Sequence, residues 1–131
     1  MKKPATGAGL GFRRELLPEL KSQQLSGIDF FEIAPENWAL SGGAHAKNLR
    51  QFTEKFPFVA HGLCLSIGSA DGLDTALVKS IKSFMQVHGI ALYTEHLSWC
   101  SHQGHLYDLL PIPCTQEAVR WVAARIRQVQ D

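Results

Sequence analysis

Two patterns of hydrophobic positions alternate along the chain. Short apolar runs typical of buried strands occupy residues 6–13, 28–34, 58–61 and 90–96. Between and after them, apolar residues recur every three or four positions, as in amphipathic helices, over residues 14–24, 44–56, 74–88 and 115–129. Each strand and its helix take about 30 residues, the size of a βα repeat in a parallel sheet. The pattern predicts four consecutive βα units, with residues 97–113 as a long loop before the last helix.

Regular alternation of this kind predicts an α/β fold with the helices outside and all strand exits at one edge. Eight such units close a TIM-type barrel of about 250 residues, so four parallel (βα) units correspond to a half-barrel. An open four-stranded sheet that is complete in itself is the alternative. In the last helix, the spacing predicts four inward-facing residues: Val119, Val122, Ile126 and Val129.

Composition limits the classes of function. The 131 residues are 45% hydrophobic and 19% charged, which suits one domain that buries its own core. The net charge of +1 and the lack of a basic run argue against nucleic-acid binding. No apolar stretch reaches the roughly 18–20 residues of a membrane span, and none follows the N-terminal lysines, so we expect neither membrane insertion nor a signal peptide. Three scattered cysteines without a CxxC pair favour a reducing, cytoplasmic location.

Chemically reactive side chains stand where the predicted strands end. His61 and His96 end the third and fourth strands. Because neighbouring parallel strands lie about 4.8 Å apart, the two imidazoles can bind one metal ion with bonds of about 2.1 Å. Neutral imidazole suits zinc, copper or iron. Other side chains able to bind a metal, orient a ligand or transfer protons surround the same edge: Glu32, Glu36, Asn37, Glu95, His105 and Asp108.

Structural explanations compete with these functional ones. A lone histidine in an apolar strand is more often a hydrogen-bonded core residue, but two at equivalent exits of consecutive strands weaken that explanation. Glu32 lies within an apolar strand, so its burial would require a functional role or a paired cation. Glu95 adjoins His96 and therefore points to the opposite face of its strand, where a helix-facing partner is as good an explanation as catalysis. Trp38 and Trp99 follow strand exits and would either wall a substrate pocket or pack in the core.

Several segments, in order along almost the whole chain, carry a resemblance to a known family. They are GLGFRRELLPEL, IDFFEIAPENW, FVAHGLCLS, YTEHLSWC and GHLYDLLPIP with the following TQEAVRWVAARIRQVQD. The chain resembles the N-terminal half of the multinuclear non-heme iron-dependent oxidative enzymes, which include the iron enzyme of methanobactin biosynthesis. The resemblance implies a TIM-type barrel of about twice this length, related to the xylose-isomerase-like barrels.

The resemblance also implies a function. It implies two or three iron ions at the strand exits and oxygen-dependent modification of cysteine residues in ribosomally made peptides, often with a small partner protein that delivers the substrate. His61 and His96 match the two histidines that bind one of these irons. The remaining candidates are Glu32, Glu36 and Asn37 for catalysis, and Glu95, Trp99, His105 and Asp108 for supporting or substrate-contacting roles.

The other ligands of the family, including a glutamate that bridges two irons, would lie in strands five to eight, beyond Asp131. We therefore expect residues 1–131 to be the N-terminal half of a barrel domain, truncated and either inactive or only weakly metal-binding, and we leave open whether this chain alone is an enzyme. A zinc-dependent hydrolase or isomerase on a related barrel is one alternative. A non-catalytic half-barrel that forms a homodimer through its two exposed sheet edges is another.

Overall fold

The computed structural model describes residues 5–131, apart from the side chain of Tyr107. Its main sheet contains four parallel strands in the order β1-β2-β3-β4, so neighbours in space are also neighbours along the chain. The strands are β1 (Gly9–Gly11), β2 (Phe30–Ile33), β3 (Phe58–Gly62) and β4 (Leu92–Glu95). Lys2 and Lys3 are the N-terminal lysines that were considered for a signal peptide, and they lie outside the described residues.

The helices that alternate with these strands are α1 (Leu17–Ser22), α2 (Gly43–Thr53), α3 (Thr75–His88) and α4 (Gln116–Gln130). Short 3-10 turns at Arg14–Leu16 and Pro35–Asn37 follow β1 and β2. Both predicted ends of α3 are confirmed: Asp74 Oδ1 accepts a hydrogen bond of 2.9 Å from Leu77 N, and Gly89 ends the helix with a left-handed φ of 62°. Within the described part of the chain, no helix combines the length and the apolar character needed to cross a membrane.

The hydrophobic core lies on one face of the sheet. Phe31 and Ala60, both fully buried, point to this face and pack with residues of α1, α2 and α3. Phe12 lies at the centre of an aromatic cluster, with its ring centroid 5.1 to 5.4 Å from those of Phe31, Phe52 and Phe58. Edge-to-face and tilted contacts of this kind add to the free energy gained by burying the rings. The core therefore packs against the strands from the helix side.

The opposite face of the sheet is more open and becomes polar toward the carboxyl ends of the strands. The strand register places Glu32 beside Val59, and His61 beside Thr94. Glu32 is exposed, because strand alternation turns its side chain away from the buried Phe31. The expected burial of Glu32 is therefore wrong, and no partner cation is needed to stabilise it.

Four parallel strands alternating with helices confirm the predicted α/β fold of four βα units, which is half of a TIM-type barrel. The prediction of a loop over residues 97–113 is wrong. Two antiparallel strands, β5 (Ser98–Ser101) and β6 (His105–Pro111), form a separate hairpin within it. The chain reverses through Gln103 and Gly104, whose φ angles of 49° and 148° are typical of a short glycine-containing turn.

The helix α4 presents a different face to the protein from the one predicted. Val122 is buried and Val129 is half-buried, as expected. Val119 and Ile126 are instead 61% and 41% exposed, so the prediction that these two residues face inward is wrong.

A buried arginine anchors α4 in place of those apolar residues. Arg125 is only 5% exposed, and its guanidinium donates hydrogen bonds to the carbonyl oxygens of Ile67 and Asp71. The same guanidinium lies 4.6 Å from the ring centre of Trp121, whose indole N–H donates to Ser69 O at 3.1 Å. These contacts attach α4 to the loop after β3. Apolar spacing alone could not show them, because the anchoring groups are polar.

Candidate functional site

A polar cavity of about 470 Å³ opens at the carboxyl ends of the main-sheet strands. Each of the four strands contributes to its wall, either directly or through the residues that follow it. The charged and polar lining residues include Arg13 and Arg14 after β1, Glu32 and Asn37 from β2 and the following turn, His61 on β3, and His96 after β4. Parallel strands end at one edge of a sheet, which is where sites in such folds occur. Four predicted residues thus meet in one cavity: Glu32, Asn37, His61 and His96.

The imidazole rings of His61 and His96 lie side by side, with their centroids 4.5 Å apart and their planes at 49°. Nδ1 of His61 lies 2.7 Å from Thr94 Oγ1, and Nδ1 of His96 lies 3.0 Å from Gly62 O. Each histidine is therefore held by the neighbouring strand. Thr94 was not predicted as part of the site, although its place two residues before His96, on the same face of the chain, is the signal that identifies it.

The hydrogen bond to Gly62 defines where the His96 ring carries its proton. A carbonyl oxygen only accepts, so Nδ1 of His96 is the donor. In the neutral ring, Nε2 then has a free lone pair, which is the form in which histidine binds a metal or accepts a proton. The Thr94 hydroxyl both donates and accepts, so its contact orients the His61 ring without defining the tautomer.

Glu36 lies behind the cavity wall. Its Oε1 accepts hydrogen bonds from Leu63 N at 2.7 Å and from Cys64 N at 3.1 Å, the first two amides after β3. Its Oε2 is buried and has no hydrogen-bond partner among the described residues. Glu36 was predicted to be catalytic, but this position suits a residue that orients its neighbours better than one that contacts a substrate.

Glu95 and Tyr93 form a hydrogen-bonded pair on the side of β4 opposite to His96. Glu95 Oε2 accepts from the Tyr93 hydroxyl at 2.6 Å, and Oε1 accepts from the backbone N–H of His96 at 2.9 Å. Burial raises the pKa of the Glu95 carboxyl, although these two donors partly oppose the shift. Burial and the bond to Glu95 also raise the pKa of the Tyr93 phenol. Glu95 therefore fixes the backbone of His96 from behind the cavity.

Cys64 and Cys100 lie close to the site, at the exit of β3 and in β5. Burial raises the pKa of the Cys64 thiol, and the nearby Glu36 carboxylate raises it further. Cys100 is buried, with Sγ 3.9 Å from Leu63 O. The thiolate is the reactive form of cysteine, so the raised pKa lowers the thiolate fraction of Cys64 at a given pH and with it the reactivity of the thiol.

Two arginines on the cavity wall were not predicted. The Arg14 guanidinium donates to Asn37 O and to Ser41 Oγ at 2.7 Å, and it lies 5.1 Å from the ring centre of Trp38. Trp38 is only 4% exposed, so it packs in the core while bordering the cavity. Arg13 is exposed on the same wall. Both arginines lie within three residues of the end of β1, and this position near a strand exit, which the two histidines share on later strands, is the signal that would have found them.

Three predicted residues lie in the hairpin. Trp99 is on β5, where its indole N–H donates to Pro111 O at 3.2 Å. His105 and Asp108 are exposed on β6. None of the three lines the cavity that holds the two histidines. The expectation that they surround the strand exits does not hold in the described structure, because residues 98–111 pair with each other rather than with the main sheet.

The described residues offer a pair of metal ligands rather than a complete set. No group of three or more His, Cys, Asp and Glu side chains suited to a metal occurs within residues 5–131. Two imidazoles supply two of the four ligands of a tetrahedral ion or of the six of an octahedral one. Two imidazoles would therefore fill half or fewer of the coordination positions of one metal ion and leave the others for further ligands, including a substrate.

The fold and the paired histidines define an α/β protein whose site lies at the carboxyl ends of parallel strands. Residues 7–131 match the family model described as RiPP precursor modification enzyme MbnB/TglH/ChrH. Since the match covers nearly the entire chain, the protein belongs to this family, whose members modify the precursors of ribosomally made peptides. The family resemblance found in the sequence is thereby confirmed.

The chain is also similar to curated proteins that are named UPF0276 protein. It is 61% identical to the one from Nitrosospira multiformis over 123 residues, which cover 94% of this chain and 44% of the relative. The protein from Alcanivorax borkumensis is 56% identical over 133 residues, with 98% and 44% covered. The protein from Shewanella amazonensis is 56% identical over 124 residues, with 95% and 45% covered. The chain thus spans less than half the length of these relatives.

Proposed function

We propose that this chain forms the part of a peptide-modifying enzyme that binds one iron ion through His61 and His96. The observation that carries the proposal is the histidine pair itself, since two imidazoles from neighbouring strand exits meet on one cavity wall. Membership of a family of RiPP precursor modification enzymes supports the peptide-modifying role. The identity of the metal and the nature of the reaction are parts of the proposal.

The chemistry of the two imidazoles fits an iron ion. Neutral imidazole nitrogen binds iron as well as zinc and copper. The Nδ1 atoms of both rings are engaged, by Thr94 and by Gly62, which leaves the Nε2 atoms for the metal. Bound iron would supply oxygen-dependent oxidation of a cysteine in the substrate, which redox-inert zinc does not offer.

The rest of the cavity suits a segment of peptide. Its volume of about 470 Å³ lies in the ordinary range for sites that bind small ligands. Arg13 presents an exposed guanidinium to the cavity, and Glu32 presents an exposed carboxylate, so donors and acceptors for peptide groups flank the histidines. We propose that the substrate is a precursor peptide, delivered by a small partner protein in the cytoplasm.

The chain alone supplies too few ligands for a cluster of iron ions. The described residues offer the two imidazoles, and the curated relatives are more than twice as long as the segment they share with this chain. We propose that the other ligands come from residues outside this range and that the 131-residue protein alone binds iron weakly and modifies no peptide. The edge strands β1 and β4 are where further βα units, or a second copy of the chain, would pair.

Anaerobic loading with Fe²⁺, followed by removal of loosely held metal, tests this proposal. We expect at most one weakly held iron per chain, and no modification of a cysteine-containing peptide on exposure to O₂. Co-production with the part of the Nitrosospira multiformis relative that this chain does not match should restore O₂ consumption and peptide modification, with the full-length relative as the positive control. Two or more tightly held irons per 131-residue chain would contradict the proposed incompleteness. Hydrolysis supported by zinc, without O₂ uptake, would favour the zinc-dependent alternative.

A further inference from the structure

We infer that Glu36 is a positioning residue that acts on the His96 ring through the peptide unit joining Gly62 to Leu63. The inference rests on the proposed metal-binding role of His96 and deepens it. The N–H of this peptide unit donates to Glu36 Oε1 at 2.7 Å. The C=O of the same unit accepts from Nδ1 of His96 at 3.0 Å. One peptide group thus joins the half-buried Glu36 carboxylate to a histidine of the cavity wall.

The geometry of the peptide makes this connection continuous. The Gly62–Leu63 peptide is trans, so its C=O and N–H point in opposite directions. Glu36 therefore lies on one side of the unit and the His96 ring on the other. Carboxylate, peptide and imidazole form an uninterrupted chain in which each donor points toward the carboxylate.

Hydrogen bonds in such a chain polarise one another. A carboxylate that accepts the N–H draws negative charge onto the carbonyl oxygen, which becomes a stronger acceptor for the Nδ1 proton of His96. A more strongly held Nδ1 proton leaves more electron density on Nε2, and carboxylates that accept from a ligating histidine directly are known to strengthen the ligand in this way. The low dielectric of a buried site increases the effect.

The surroundings of Glu36 support a role for its negative charge. Oε2 is buried without a hydrogen-bond partner among the described residues, which costs stability. The amides of Leu63 and Cys64 do not need a charge, since the oxygen of a glutamine side chain would accept both bonds. A second carboxylate, Glu95, accepts from the backbone N–H of His96. The two carboxylates therefore act on different parts of His96, one on the ring and one on the main chain.

Glu36→Gln tests the inference because it keeps an oxygen acceptor for both amides and removes the charge. The first measurement is the Nδ1–H resonance of His96 in proton–nitrogen NMR spectra of the metal-free protein. The second is a titration with Co²⁺, which imidazole binds more tightly than Fe²⁺. We expect the resonance to move upfield and the Co²⁺ affinity to fall roughly tenfold or more. Glu54 is an exposed glutamate directly after α2, and Glu54→Gln serves as the control because it removes one negative charge away from the site. This variant should match the wild type in both measurements.

Three outcomes would be decisive. Wild-type spectra that place the His96 ring proton on Nε2 would overturn the inference without any variant. A Glu36→Gln protein whose His96 resonance and Co²⁺ affinity equal those of the wild type would also overturn it, since Glu36 would then only hold the loop. If the wild type binds no Co²⁺, the proposed metal role fails separately, and the shift of the Nδ1–H resonance in Glu36→Gln determines whether the inference stands.

Discussion

Replacement of Gly62 with alanine tests how closely the sheet is packed behind the two histidines. Gly62 ends β3 and pairs with Glu95 of β4. A Cβ atom at Gly62 would overlap Glu95 Oε2 and the hydroxyl oxygen of Tyr93, and it would lie 3.0 Å from Glu95 Cδ. The two side chains would have to move apart and lose the 2.6 Å hydrogen bond that joins them. Glu95 also holds the backbone of His96, so the site would be displaced as well.

Three contributions set the size of the effect. Forcing an extra carbon into a filled site costs about 1–3 kcal/mol. Loss of a hydrogen bond to a carboxylate costs about 1.5–3 kcal/mol. Replacement of glycine with alanine lowers the conformational entropy of the unfolded chain, which raises the free energy of unfolding by about 0.4–1 kcal/mol. We therefore expect Gly62→Ala to lower the free energy of unfolding by about 2–5 kcal/mol.

Urea denaturation of the wild type and of two alanine variants measures this change. Gly72 is the matched control, because no atom lies within 4 Å of the position that its Cβ would occupy. Gly72→Ala should leave the free energy of unfolding unchanged or raise it by up to about 1 kcal/mol. Equal stability of Gly62→Ala and Gly72→Ala would show that the space beside Gly62 is not filled by Glu95 and Tyr93.

Two further predictions concern the anchor of α4 and the reactivity of the half-buried Cys64 thiol. Arg125→Ala leaves two carbonyl oxygens without their donor and should lower the free energy of unfolding by about 2–4 kcal/mol in urea denaturation, whereas the exposed Arg120→Ala on the same helix should change it by less than about 0.5 kcal/mol. Equal effects would contradict the anchoring role. Because burial and Glu36 raise the pKa of Cys64, less thiolate is present at a given pH, and iodoacetamide should alkylate Cys64 more slowly than the exposed Cys114, with a rate that continues to rise at more alkaline pH. Peptide mass spectrometry follows both sites; Glu36→Gln should speed the reaction at Cys64, and equal rates at the two cysteines would contradict the raised pKa.

The main sheet and the histidine pair of the site could be predicted from local sequence patterns. Apolar runs separated by amphipathic stretches give βα units, and consecutive units place their strands side by side. His61 and His96 therefore had to meet, because each ends one of two neighbouring parallel strands. Strand alternation also placed Glu95 on the side of β4 away from His96, where it bonds with Tyr93. These features depend on spacing within a few residues, which a sequence displays directly.

Features that depend on contacts between distant segments were missed. Apolar spacing could not show that Arg125 anchors α4, because its partners are carbonyl oxygens of a loop more than 50 residues earlier. The hairpin was missed because polar residues and Gly104 made residues 97–113 look like a loop, although the segments on either side of the turn pair as antiparallel strands. The connection from Glu36 to His96 requires the Gly62–Leu63 peptide to lie between them, which no motif encodes.

Anaerobic calorimetric titration of the purified protein with Fe²⁺ tests most directly whether His61 and His96 bind one metal ion. If His61 and His96 bind one iron, the wild type and the exposed His45→Ala variant should each bind one equivalent, while His61→Ala and His96→Ala should each weaken binding by roughly tenfold or more. Unchanged Fe²⁺ binding in a protein that lacks both His61 and His96, or a loss of binding in His45→Ala equal to that in the site variants, would contradict the claim.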